Sequence, residues 1–589
     1  LTSARLELLL ATRQAPSDGI ADALRCRLGL GHRELTQQLT QLRQDIARFG
    51  LDLPEPWLIE RPPQNSLLPD AAGPTLAPFA DPHFRLETSL AHFRAALATH
   101  GYTESAIVAA LGVDSLQPVE SLQQIEPTHL HWHATFQLTD TPLADLIRLF
   151  QLRASRPRAR VDALFGTEVV AALVTLGIFI PDGDQLRAGV DLFCSGGMIF
   201  ATDHRYMLLE GDRLDEEPVM YIGMDSHGLV QTAPRAPCAT VLDLCCGSGI
   251  QGLVATRYGR KVVAVDLNPR AVRFARFNAQ LNEASDYEVR LGSLYEPVAG
   301  EQFDVILANP PFVPSPEMGL AFRDGGVRGE SILRQIVAGA PTHLTKTGRL
   351  CIVTDLVDIS GYGPKLQGWW GPSGMDALIA STADRDEMLF SVPHCHAPFG
   401  QSIEGYEQEL GRWVQNFRTA KLDAVNFGYL LVWRSSDDHR TVTTRVIHNP
   451  ATPMHREVSD WRVQQAIRTQ ADARGHHLCL HPKARLHHAH APDGSASSYE
   501  LSVPGSDFFT TYALSERVYT DLCHIAKVGP TLDDVVCEAN GWIDRLLSLG
   551  VLRLEATRPV RAAAQSVDAP DVIEQATKTT PTCLSSYLG

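Results

Sequence analysis

The sequence predicts an α/β protein, a mostly parallel, doubly wound sheet flanked by helical and winged-helix-like modules. Three observations carry that expectation. Residues 239–266, ATVLDLCCGSGIQGLVATRYGRKVVAVD, join two apolar β-rich runs through a glycine-rich turn and a helix, which is the pattern of a βαβ unit with a nucleotide-type loop. A further apolar run, FDVILA, ends in Asn309-Pro310-Pro311-Phe312, at the strand end where such sheets place their ligands. On either side, in residues 143–193 and again in 515–555, helices lead into short strands with the rhythm of a winged helix.

At 589 residues the chain exceeds what one hydrophobic core organises. Five segments are expected in order: an N-terminal helical segment and linker (1–82), a helical and winged-helix-like accessory domain (83–190), the α/β domain (191–436), a C-terminal winged-helix-like domain (437–562) and a polar, flexible tail (563–589). Residues 1–50 show helical spacing at Leu35, Leu39 and Leu42, and residues 52–82 are rich in Pro and Ala. A second helical region starts near His83 and runs through FRAALATHGYTESAIVAALG. Apolar residues make up 44% and charged residues 20%, as in soluble globular proteins. No apolar stretch is long enough to span a membrane, and LTSARLELLLATRQ lacks a small-residue cleavage site, so it is not read as a signal peptide.

Eleven cysteines without a regular framework indicate a reducing, cytoplasmic setting. The net charge of −16 opposes wholesale binding to a phosphate backbone. The third helix of the first winged-helix-like module, GTEVVAALVTLG, contains no Lys or Arg with which to read a groove, and favours packing or peptide docking.

Within the βαβ unit, Gly247 and Gly249 let backbone approach a ligand closely, and Asp266 ends the second strand where it can accept both ribose hydroxyls. Taken alone, GSGIQG also fits a dinucleotide fingerprint, so a Rossmann dehydrogenase is the competing reading. Asp243, just ahead of the turn, weighs against it, because a carboxylate there repels a diphosphate yet suits an ammonium-bearing ligand. The next helix, NPRAVRFARFNAQLN, opens on Asn268-Pro269 and aligns Ala271, Phe274 and Ala275 on one face. YEVRLGSLYEPV then supplies a third strand and a turn at Gly292-Ser293-Leu294.

The NPPF turn has a direct chemical reading. Two prolines remove backbone donors and stiffen the turn. The Asn309 side-chain oxygen and the Pro310 carbonyl can then accept both hydrogens of one NH₂ group, turning its lone pair toward an electrophile. Phe312 can stack on the plane that carries the nitrogen. Such chemistry works by orientation and desolvation and requires no general base.

On these motifs, segment 219–434 resembles the class I methyltransferases of the NPPY/NPPF group, including release-factor glutamine methyltransferases and small-domain ribosomal RNA guanine methyltransferases, in a large multi-domain bacterial form. The matching stretches are YIGMDSHGL, VLDLCCGSGIQGL, VVAVDLNPRAVRFARFNAQLN, GSLYEPV, NPPFVPSP and FRDGGVRGESILRQIV, followed by GRLCIVTDLV and VNFGYLLVW as fifth and final antiparallel strands. The resemblance implies a seven-stranded, mostly parallel sheet and S-adenosyl-L-methionine as cofactor. It implies cofactor contacts from Asp243, Cys245, Gly247, Gly249, Asp266, Leu267, Ser293, Leu294 and Asn309. Asn309, Pro310 and Phe312 would be catalytic, with Pro311, Phe312, Arg323 and Asp324 facing the substrate. Ser293 departs from the group, in which many relatives have Asp gripping the adenine amine. Asp225 and Ser226 would close the cofactor pocket.

The implied activity is N-methylation of a planar amide or amine nitrogen in a peptide or protein (Asn/Gln-type) or in a peptide-derived small molecule. The alternative is an exocyclic base amine in RNA or DNA, and a third reading is a nucleotide-sensing protein with a silent site. A homodimer is compatible with the group. No metal is expected: the histidine-rich HHLCLHPKARLHHAH (476–490) matches no compact zinc spacing. His394-Cys395-His396 and the Cys245-Cys246 pair read as packing residues.

Overall fold

The computed structural model describes residues 87–111, 136, 138–152, 154–204, 217–317, 320–395, 403–435, 439–450, 452–470, 472–491, 497–535 and 541–556. The helices expected in 1–50, the linker at 52–82 and the tail at 563–589 lie outside these residues.

In the first unit, α1 (Glu87–Thr99) and α2 (Glu104–Leu111) are followed by α3 (Pro142–Phe150), β1 (Arg156–Pro157), α4 (Arg158–Phe165), α5 (Thr167–Thr175), β2 (Phe179–Asp182) and β3 (Gln185–Ala188). Helix α3 starts sharply because the Thr141 hydroxyl accepts from the Ala144 N–H at 3.2 Å and Pro142 fills the first turn. The three strands pair in the order β1-β3-β2, with left-handed Gly183 in the turn between β2 and β3. Phe93, Phe150, Phe165 and Phe179 form its aromatic core, with ring centroids 5.1–6.1 Å apart. A hairpin follows, β4 (Asp191–Ser195) and β5 (Met198–Thr202), closed by Gly196-Gly197, both at positive φ.

After α6 (Met224–Thr232), the central sheet is built from β6 (Cys238–Leu244), α7 (Ile250–Ala255), β7 (Gly259–Asp266), α8 (Pro269–Leu281), β8 (Tyr287–Leu291), β9 (Phe303–Ala308), α9 (Ser331–His343), β10 (Leu344–Val357), α10 (Tyr362–Trp370), β11 (Met375–Arg385), α11 (Glu387–His394), α12 (Ile403–Thr419), β12 (Val425–Arg434) and β13 (Arg440–Val446). Its strand order is β13-β11-β12-β10-β9-β6-β7-β8. Strands β6 to β10 run parallel, and β12 is antiparallel to both β10 and β11. Val241, Leu242 and Leu244 of β6 and Val262 to Val265 of β7 are all buried, so neither strand alternates apolar with exposed residues, and Asp243 alone breaks the apolar run in β6. The order reverses between β6 and β9, which opens a crevice at their carboxyl ends.

The expected seven strands are exceeded by one. Strand β13 pairs in parallel with β11 and extends the sheet past residue 436. Its sequence, RTVTTRV, mixes exposed and half-buried positions and carries no apolar run to announce it.

The last unit comprises α13 (His455–Arg468), β14 (His477–Leu480), β15 (Arg485–His490), β16 (Ser497–Ser502), β17 (Tyr512–Leu514), α14 (Glu516–Val528), α15 (Leu532–Val535), α16 (Gly541–Ser548) and β18 (Leu552–Glu555). Strand β18 returns to pair with β14, while β15-β16-β17 form a separate antiparallel sheet. This unit shares a core with one face of the central sheet. Arg445 of β13, 2% exposed, donates to the carbonyls of Leu549 (2.8 Å) and Phe508 (2.6 Å), and its guanidinium lies 3.6 Å from the Phe508 ring centroid. Among the described residues no helix is long and apolar enough to cross a membrane.

Candidate active site

Strand β6 feeds directly into Cys245-Cys246-Gly247-Ser248-Gly249. Cys245, Gly247 and Gly249 all adopt positive φ, which folds the backbone into a tight loop before α7. At Gly249 the need for glycine is steric as well, because a Cβ would lie 2.5 Å from the Tyr287 hydroxyl. Above Gly247 a Cβ would meet nothing within 4 Å, so that side of the loop is open.

Two carboxylates brace the loop. Asp266, ending β7, accepts from the Gly247 N–H and the Asn268 N–H, both at 2.8 Å. Asp243 is fully buried; one oxygen accepts from the Gly252 N–H at 2.8 Å, and the other has no partner among the described residues. Burial pushes the Asp243 carboxyl up to about 8, with the Gly252 N–H opposing and the Asp266 charge adding. Burial also raises Asp266, against its backbone donors. The Cys245 and Cys246 thiols are pushed up by burial, which keeps them protonated and poor nucleophiles.

Half-buried Ser293 and Leu294 follow β8, and the Gly292 N–H donates to the Asp266 carbonyl at 2.9 Å. Leu267 is 71% exposed and Leu291 53%, which leaves apolar surface beside Asp266. An unpartnered buried carboxylate oxygen, open space over Gly247 and bare leucines fit a nucleoside with an ammonium-bearing tail.

Across the crevice, β9 delivers Asn309. Its side-chain NH₂ donates to Asp225 Oδ2 (2.8 Å) and to Ser226 Oγ (3.2 Å), both on the first turn of α6. A carboxylate only accepts, so this contact fixes which end of the amide faces it. The Asn309 oxygen therefore faces elsewhere, and neither it nor the Pro310 carbonyl accepts a hydrogen bond among the described residues. Asp225 and Ser226, expected to close the cofactor pocket, here orient the Asn309 amide. Burial raises the Asp225 carboxyl, opposed by the Asn309 donor.

Phe312 is half-buried, with its ring centroid 6.3 Å from that of Phe427 on β12. The chain beyond it is clamped to the Arg323–Gly326 loop. Val313 N–H donates to the Arg323 carbonyl (3.0 Å), Gly325 N–H to the Val313 carbonyl (2.9 Å) and Ser315 N–H to the Gly326 carbonyl (3.0 Å). Asp324 is fully buried, accepting from the Leu320 N–H (2.8 Å) and pairing with Arg323 (2.7 Å), so its carboxylate shapes the loop. Arg323 lies 5.2 Å from the Trp413 ring centroid.

One pair escaped the sequence reading. Asp355 of β10, opposite Phe427 in register and 3% exposed, pairs with Arg385 at the end of β11. A lone Asp inside the buried run CIVTDLV was the available signal. Elsewhere, His394 packs on Trp413 (5.4 Å between centroids), and His396 lies outside the described residues. In the histidine-rich segment His487 and His490 contact Ser502 and Ser497, and His488 stacks on Tyr499. Among the described residues no three His, Cys, Asp or Glu side chains stand together to hold a metal ion.

Residues 222–367 match the family described as methyltransferase small domain, and residues 99–189 match a domain of unknown function, DUF7059. The chain is 36% identical over 151 residues to a protein of Methanocaldococcus jannaschii named as a protein N5-glutamine methyltransferase, covering 24% of this chain and 74% of that one. It is 37% identical over 156 residues to the release factor glutamine methyltransferase of Cereibacter sphaeroides, covering 24% and 53%. It is 28% identical over 152 residues to the ribosomal RNA small subunit methyltransferase C of Alcanivorax borkumensis, covering 24% and 43%. The chain thus spans about half the length of these bacterial relatives. Strand order, cofactor loop and these likenesses together define a class I methyltransferase that uses S-adenosylmethionine. Within that class, the chain belongs to the methyltransferase small domain family.

Proposed function

We propose that the chain is an N-methyltransferase acting on a planar amide nitrogen of a peptide or protein, of the Asn/Gln side-chain type, or of a peptide-derived small molecule. The observation that carries this reading is the Asn309 amide, pinned by Asp225 and Ser226 so that its oxygen and the Pro310 carbonyl remain available as a pair of acceptors. One NH₂ group can fill both. Held so, an amide nitrogen loses part of its conjugation and gains nucleophilic character, while Phe312 supports its plane. Bound S-adenosylmethionine supplies the electrophilic methyl carbon. Asp243, Cys245, Gly247, Gly249, Asp266, Leu267, Ser293, Leu294 and Asn309 would hold it, with Pro311, Phe312 and Arg323 on the acceptor side and buried Asp324, expected there too, instead bracing the loop that carries Arg323. Methyl transfer forms the N–C bond as the C–S bond breaks, and the nitrogen then releases its proton to solvent.

The names of the archaeal and Cereibacter relatives support a glutamine-type acceptor. We also read residues 83–190 and, apart from β13, residues 437–562 as winged-helix-like modules that dock a polypeptide in the cytoplasm. A base amine in nucleic acid would offer the same NH₂ geometry, and one relative is named for ribosomal RNA. Against it stand the net charge of −16 and the absence of Lys and Arg from α5.

The test is incubation with methyl-labelled S-adenosylmethionine and bacterial protein and RNA fractions. The expected result is label in protein that acid hydrolysis releases as methylamine. Label confined to RNA, together with RNA affinity that falls steeply with salt, would replace this reading with the nucleic-acid one.

A further inference from the structure

Strand β5 pairs with β4 along one edge, which leaves the N–H and C=O groups of Ile199 and Ala201 directed to the other side. Asn278 of α8 and Asn282, the residue that caps its carboxyl end, complete that edge. Asn278 accepts from the Ala201 N–H (2.7 Å) and donates to the Ala201 carbonyl (2.9 Å). Asn282 does the same for Ile199, at 2.9 and 2.7 Å. The fit is geometric: four helical residues advance about 6 Å and two strand residues about 6.8 Å, so side-chain amides one turn apart match alternate strand residues.

The two asparagines differ in one respect. The Asn278 NH₂ makes a second bond, at 2.8 Å, to the carbonyl of Ser248, the residue between the two left-handed glycines of the loop. Asn278 is fully buried and Ser248 is 3% exposed, so water cannot replace that donor. Asn282 donates its second bond back to the Asn278 carbonyl in its own helix.

We infer that Asn278 is a positioning residue for the cofactor, holding the Gly247-Ser248-Gly249 backbone in its receptive shape and linking that shape to the seating of the β4–β5 hairpin. This role rests on the assignment of residues 245–249 to the cofactor. A loop whose carbonyl lost its buried donor would relax, and the Gly247 N–H held by Asp266 would shift with it.

Binding of S-adenosylhomocysteine to the full chain, measured by calorimetry, separates this role from a merely structural one. N278A and N282A each remove a bidentate pair with β5, so both should lower stability similarly; only N278A also frees the Ser248 carbonyl. N278A should weaken binding about 10-fold, the scale of one orphaned buried acceptor, while N282A should change it less than about 2-fold. Hydrogen exchange in residues 245–249 should quicken in N278A alone. If N278A fails to fold, N278L, which keeps the buried volume but offers no donor, should show the same loss. Equal affinities in wild type, N278A and N282A, or equal losses in both variants, would overturn the role. No uptake by the wild-type chain would instead overturn the cofactor assignment, and this role with it.

Discussion

Replacing Asn309 by Ala removes one of two acceptors that grip an NH₂ group while leaving the loop at Gly247 untouched. Methyl transfer should fall by about 100-fold or more, as when one preorganised polar partner is lost from an active site. Affinity for S-adenosylhomocysteine, read by calorimetry, should fall far less, by about 10-fold at most, because eight other residues also hold the cofactor, and a loss as large as that in methyl transfer would place Asn309 in cofactor binding alone. Asp243 makes a different prediction because its carboxyl is raised to about 8 by burial. A carboxyl raised on folding stabilises the folded chain fully below its unfolded value of about 3.9, and that contribution is lost as pH rises through about 8. The ligand-free protein should therefore weaken as pH rises from about 4 to about 8, and D243N should flatten that slope in thermal melts. An ammonium bound nearby favours the carboxylate, so uptake of S-adenosylhomocysteine at pH 7 should release a proton. Calorimetry in buffers of different ionisation heat would detect it, and D243N should abolish it. These residues were legible in the sequence because glycines, prolines and a strand-ending carboxylate act within a few residues of one another. The Asp225 grip on Asn309 spans 84 positions and left no local mark.

At the level of elements, β6, α7 and β7 could be read from sequence because strands buried on both faces are almost uniformly apolar and the turn between them needs glycine. Strand β13 could not, since its role depends on a neighbour 65 residues earlier, Met375 to Ser381 opposite Arg440 to Val446. The same holds for β15, whose RLHHAH is mostly exposed and lacks an apolar period. What fixes β13 is Arg445. Its buried guanidinium satisfies two carbonyls of the last unit and stacks on Phe508. R445A should cost about 3 kcal/mol in urea unfolding, since it leaves Leu549 and Phe508 carbonyls without donors and opens a gap in the core. R445K should recover only part of that, because one ammonium cannot reproduce the planar fork. A cost below about 1 kcal/mol for R445A would mean that water reaches those carbonyls.

Across the whole molecule, the units are joined by buried polar contacts as well as shared apolar cores. Asp203, fully buried after the β4–β5 hairpin, pairs through both oxygens with Arg270 on α8 and accepts from the Val219 N–H. D203A removes the bidentate carboxylate from a buried guanidinium and should destabilise the chain by about 3–5 kcal/mol. D203L combined with R270M should be markedly less damaging than the sum of the single changes, which a double-mutant cycle would test. Additive losses would show that the two side chains act separately. The eighth strand carries a practical lesson for anyone isolating the catalytic portion. Ending a recombinant fragment at residue 436 would strip the outer neighbour from the 11-residue strand Met375–Arg385, baring a ribbon of unpaired amides and carbonyls. Such a fragment should self-associate by light scattering, whereas one extended through residue 556, which retains the Phe508 and Leu549 carbonyls that seat Arg445, should remain monodisperse at the same concentration.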